Sequence, residues 1–138
     1  MQNKYYAVLD TNVMVSALLG ASHMSNPTKV LKAVTEGNLV PLYNQEIIDE
    51  YREVLSRKKF PFSSGLIESV IKVIITDGLY LDRTIAIDEV FPDPKDIVFY
   101  EVSLSKEGSF LVTGNLKHFP QKSFVITPAD MVKLLEEK

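Results

Sequence analysis

The run Tyr5-Tyr6-Ala7-Val8-Leu9 stops abruptly at Asp10, and this junction constrains the fold more than any other stretch of the chain. The run is too short for an independent helix, and the Asp10-Thr11-Asn12 that follows is turn-prone, so it predicts a buried strand. Similar short runs recur at Leu39 to Tyr43, Leu79 to Leu81, Thr84 to Ile87, Phe110 to Thr113 and Phe124 to Ile126. Segments with helical spacing separate them. Such alternation implies right-handed crossovers and an α/β fold, a three-layer α/β/α sandwich around a mainly parallel sheet covered on both faces. In open sheets of this kind, ligands bind beyond the carboxyl ends of the strands, where strand order reverses. Asp10 is delivered to such an edge.

The helices have legible punctuation. An all-round apolar segment, Val13 to Leu19, stops at Gly20, and residues 21–25 read as a loop. Asn26 as N-cap with Pro27 in the first turn opens a second helix ending before Gly37. Asn44 starts a strongly amphipathic helix to about Arg57, and Ser63 or Ser64 caps another that reaches Gly78. Pro94 opens a mostly apolar helix to about Ser105, and Thr127-Pro128 opens the last, with Met131, Leu134 and Leu135 facing inward.

With 138 residues, the chain has the length of a single domain spanning 1–138. It holds no apolar run near the ~20 residues a membrane span needs and opens on no signal segment, which predicts a cytoplasmic protein without membrane attachment. Cysteine is absent, excluding disulfides, thiolate nucleophiles and sulfur-based zinc sites. A metal would therefore rest on oxygen ligands, which suits hard cations. The net charge of −3 argues against broad electrostatic binding of nucleic acid. No glycine-rich phosphate loop is present, which argues against ATP or dinucleotide binding.

Four polar positions stand out once the strand ends are marked: Asp10, Glu50, the pair Asp93 and Asp96 in Asp93-Pro94-Lys95-Asp96, and Asn115. On the Asn44 helix, Glu46, Asp49 and Glu53 fall roughly 140–160° from the centre of the apolar stripe, whereas Glu50 falls at about 100°. Glu50 is the acid best placed to lean over the sheet. Were Asp10, Glu50 and Asp96 to converge at ~4 Å, each pair would repel by about 4 kcal/mol at an effective dielectric of ~20. A divalent cation offsets such repulsion, and an all-carboxylate site that keeps waters on the cation suits phosphodiester hydrolysis.

Each residue also has a structural reading. Asp10 can cap the helix after it, Glu50 can be a solvated helix acid, and Asn115 can be a turn residue after Gly114. Asp93 to Asp96 has the form of a capping box, as does Thr127 to Asp130, and for Asp96 alone cap and ligand weigh evenly. His23 and His118 read as surface or loop residues, since no nucleophile-His-acid order surrounds them. Lys29, Lys32, Arg52, Arg57, Lys58, Lys59, Lys117 and Lys122 read mostly as solvated surface charge rather than a basic rim.

Val8-Leu9-Asp10-Thr11-Asn12-Val13, Glu46-Ile47-Ile48-Asp49-Glu50-Tyr51, Asp93-Pro94-Lys95-Asp96 and Leu111-Val112-Thr113-Gly114-Asn115 together resemble a PIN domain over almost the whole chain. The resemblance is strongest to the small VapC-like ribonucleases that act as toxins of toxin–antitoxin pairs. It implies a Mg2+- or Mn2+-dependent endoribonuclease in which Asp10, Glu50 and Asp96 are the catalytic, metal-binding acids. Asp93 and Asn115 would be further metal ligands, and Thr11, Asn12, Ser16 and Thr113 would orient the acids. Asn115 stands where many members carry a fourth aspartate, which leaves open a catalytically weakened module that binds RNA or a protein partner. The resemblance further implies an RNA substrate, a homodimer and a cognate antitoxin.

Other Asp-based phosphate enzymes fit less well. A haloacid-dehalogenase-like phosphatase needs a second aspartate where this chain has Asn12, and a phosphoacceptor receiver needs acids that Ala7-Val8-Leu9 does not supply.

Overall fold

The computed structural model describes residues 4–85 and 89–137. β1 (Tyr5–Leu9) is the middle of a five-stranded, all-parallel sheet of order β3-β2-β1-β4-β5. The other strands are β2 (Leu39–Tyr43), β3 (Leu79–Tyr80), β4 (Phe110–Val112) and β5 (Val125–Ile126). Helices α1 (Thr11–Leu19), α2 (Asn26–Thr35), α3 (Gln45–Leu55), α4 (Ser64–Asp77), α5 (Ile97–Leu104) and α6 (Pro128–Glu136) flank the sheet, as the alternating pattern predicts.

Ala7, Val8 and Leu9 are wholly buried, which is why β1 reads as a continuous apolar run rather than an alternating one. Strand order reverses between β1 and β4, where Leu9 pairs with Val112. Pro41 removes a donor from the inner strand β2, but β3 pairs only with Leu42 and Tyr43, beyond the proline. The turn into β3 passes so close that a Cβ on Gly78 would collide with the carbonyls of Ile74 and Pro41. Only glycine fits there.

Caps behave largely as their chemistry dictates. Asn44 Oδ1 accepts from the Ile47 N–H at 2.9 Å, and Ser63 Oγ accepts from the Leu66 N–H at 3.1 Å. Thr127 and Asp130 form a reciprocal capping box on α6. Ser25, one residue earlier than expected, caps α2 through Thr28 N, so Asn26 is already helical. The amphipathic helix α3 buries Ile47, Ile48, Tyr51 and Leu55 and ends at Leu55 rather than at Arg57. On α6 Met131 is fully buried, while Leu134 and Leu135 are only partly covered.

Two other expectations change. Residues 21–23 form a single 3-10 turn inside the expected loop, and Pro94–Asp96 form another, so α5 begins at Ile97 instead of at Pro94. Of the strand expected over 84–87, Thr84 and Ile85 are not in a strand, and residues 86 and 87 lie outside the described residues. Among the described residues no helix is long and apolar enough to cross a membrane.

Candidate active site

Asp10 sits where the strand order reverses, at the carboxyl end of β1, and its side chain is almost fully buried. Oδ1 accepts from the Thr11 N–H at 2.9 Å, so the cap of α1 expected from the sequence does form. Oδ2 serves a different purpose. It accepts from the Thr113 hydroxyl at 2.7 Å and from Asn12 Nδ2 at 3.1 Å. Asn12 Oδ1 in turn accepts from the Gly114 N–H at 3.1 Å, and Thr113 Oγ1 accepts from the Asn115 N–H at 3.0 Å. Asn12 and Thr113 thus lock the loop after β4 to the first turn of α1. Burial pushes the Asp10 carboxyl up, while the Thr113 and Thr11 hydrogen bonds and His118 pull it down.

Asp96 approaches the same edge from the 3-10 turn before α5. Its partner in the sequence pattern, Asp93, accepts from the Lys95 N–H at 3.0 Å and caps that turn from an exposed position. Asp96 makes no side-chain cap bond, in contrast to Asp130 in the similar pattern of α6. Its carboxylate is therefore released from the capping role. Asp96 Oδ2 is buried and makes no hydrogen bond among the described residues. Burial, then the charges of Asp10 and Asp93, push the Asp96 carboxyl up to about 6.

Glu50 is half-buried on α3 and its charge is felt by both Asp10 and Asp96, so the three acids share one electrostatic environment. Beneath them the buried Tyr51 hydroxyl donates to the Leu9 carbonyl at 2.5 Å, tying α3 to the last residue of β1. Burial and the Asp10 charge raise the Tyr51 phenol above its usual range, keeping it a neutral donor.

His118 keeps the surface position expected of it, on a turn, and also approaches the site. Although it is 44% exposed, its Nδ1 stands 3.4 Å from Asp96 Oδ2, and its Nε2 lies 2.9 Å from Asn115 Nδ2. Leu116–His118 forms a 3-10 turn that carries His118 back over Asn115. His23 is exposed, in keeping with its surface reading. Ser16 lies exposed on α1, its carbonyl accepting from the Gly20 N–H at 2.9 Å. Thr11 Oγ1 is buried with no partner among the described residues.

Among the described residues, no three His, Cys, Asp or Glu side chains are grouped closely enough to hold a metal ion by themselves. The donor chemistry still suits a hard cation, because Mg2+ binds through one or two carboxylates and keeps its remaining ligands as water. Asp96, with its unbonded Oδ2, and Asp10, whose charge it feels, are the two carboxylates that could serve in this way.

Of the basic residues, Arg52 pairs with Glu68, Arg57 with Glu53 and Lys122 with Glu89, as surface charges do. Neither curated proteins nor solved structures gave a match. A family model described as PIN domain matches residues 6–117, a span running from β1 through Asn115, and PIN domains are generally nucleases. With its all-parallel five-stranded sheet and an acid at the point of strand reversal, the chain belongs to the PIN domain family.

Proposed function

We propose that this chain is a Mg2+- or Mn2+-dependent endoribonuclease, with Asp10, Glu50 and Asp96 as its catalytic acids. The observation that carries the reading is the buried Oδ2 of Asp96, which makes no hydrogen bond among the described residues, on a carboxylate that feels the charge of Asp10. Asp10 and Asp96 would hold the cation, with Glu50 adding charge from α3 and Asp93 and Asn115 at the margin. A cation bound there would supply an activated water and neutralise charge on the phosphate. Thr113, Asn12 and the Thr11 N–H fix the Asp10 carboxylate so that it need not reorganise on binding. His118 Nδ1 stands 3.4 Å from Asp96 Oδ2 at the more exposed margin of the site.

The test is calorimetric titration with Mn2+ of the unaltered protein and of Asp10→Asn, followed by cleavage of structured RNA in Mg2+ by the unaltered protein and Asp96→Asn. Binding and cleavage lost in the variants support the reading. Equal Mn2+ binding in both proteins overturns the metal site.

A second reading, an RNA- or protein-binding module without cleavage, draws on Asn115. Its amide is turned to His118 at 2.9 Å, where a fourth aspartate would add charge. Cleavage by purified protein that Asp96→Asn lacks would exclude it.

The likeness to VapC-like ribonucleases extends the proposal to a cytoplasmic, homodimeric, single-domain toxin held by an antitoxin. An adjacent gene for a small DNA-binding protein would support that extension.

A further inference from the structure

Arg83, in the loop after β3, reaches two helices at once. Its Nη1 lies 2.7 Å from Glu46 Oε2 on α3, and its Nε lies 2.5 Å from Glu101 Oε1 on α5. The two contacts differ in environment. The Glu46 side chain is 56% exposed, whereas that of Glu101 is 4% exposed, a carboxylate few chains bury without a cation beside it. Glu46 stands one helical turn before Glu50 on the same face of α3, and α5 starts directly after Asp96. The same loop is fastened to α5 by further bonds: the Thr84 N–H donates to the Glu101 carbonyl at 3.1 Å, and the Ser105 hydroxyl lies 2.6 Å from the Asp82 carbonyl.

We infer that Arg83 is a positioning residue, a strut between α3 and α5 that sets the spacing of Glu50 and Asp96. The inference rests on the cation-site reading above. Neither acid touches Arg83, so the effect passes through the helices that carry them. A guanidinium suits this task better than an ammonium, because its planar fork addresses two carboxylates in fixed directions. The third acid, Asp10, is held independently by Thr113 and Asn12, so loss of the strut leaves it in place.

Glu46→Ala is the variant of choice, since it cuts the α3 arm and leaves the buried Glu101 paired. Mn2+ titration and cleavage kinetics are measured on the unaltered protein, Glu46→Ala, Arg83→Gln and Arg83→Lys, with thermal unfolding in parallel. The expected result for Glu46→Ala is a loss of about tenfold in Mn2+ affinity, at the low end for groups supporting metal ligands. A fall in kcat at nearly constant KM should accompany it, and Arg83→Lys should recover part of what Arg83→Gln loses. Unchanged Mn2+ affinity and kcat in Glu46→Ala, beside an unaltered protein that binds and cleaves, overturns the strut alone. An unaltered protein that neither binds Mn2+ nor cleaves overturns the site reading and the strut with it.

Discussion

Thr113 donates its hydroxyl to Asp10 Oδ2 at 2.7 Å, joining residues 103 apart in sequence across the boundary where the strand order reverses. Both side chains are buried, so this bond has no competing water. Thr113→Val keeps the shape and removes the donor, leaving the carboxylate short of one partner. The expected loss is about 1–3 kcal/mol in stability, read from urea unfolding, with Thr113→Ser retaining most of the stability. Equal unfolding midpoints for Thr113→Val and the unaltered protein would show the bond to be dispensable.

The Asp96 carboxyl, pushed up to about 6 from 3.8, gives the stability a distinctive pH dependence. The folded protein keeps this proton at pH values where the unfolded chain has released it. The resulting stabilisation is complete below the unfolded value and is lost as pH rises through the folded one. In the absence of divalent ions, this group should lower stability between about pH 4 and pH 6. Asp10, also raised, acts in the same sense. Urea midpoints measured across that window should show a flatter profile for Asp96→Asn; an identical profile would refute the assignment.

Protonation of the same group should oppose cation binding. Mn2+ affinity is therefore expected to fall as pH drops through about 6, and the dependence should weaken in Asp96→Asn. Calorimetry at several pH values reads this directly.

Asn115→Asp replaces a neutral amide that now faces His118 with the acid many PIN domains carry. The added charge should raise Mn2+ affinity by about tenfold. An unchanged or weaker affinity would place residue 115 outside the cation's reach.

Asn44 is buried and caps the helix that carries Glu50. Asn44→Ala should cost about 0.5–2 kcal/mol, measured by chemical unfolding, whereas Asn44→Asp or Asn44→Ser should restore most of it.

Most of the fold was written in local pattern. Runs such as Tyr5–Leu9 and Leu39–Tyr43 are buried on both faces and carry no polar interruption, and Asn44, Ser63 and Thr127 cap helices through atoms within three residues of themselves. At two places local chemistry told only part of the outcome. Asp96 has the sequence of a capping residue, but a 3-10 turn inserted before α5 moves its carboxylate off the cap. His118 has no local signature because its partner Asp96 lies on a different element, and the turn at Leu116–His118 brings the two together.

The sequence alone determined that a buried strand would hand Asp10 to the edge of a parallel sheet, because periodicity and capping depend on near neighbours. Which groups would meet Asp10 there was decided by the tertiary structure. Thr113 reaches it only because β4 lies beside β1, Tyr51 secures Leu9 only because α3 folds back on the strand, and Arg83 joins α3 to α5 from a loop with no motif of its own. Contacts between elements far apart in the chain leave no period to read, so only the packed sheet and its helices could define them.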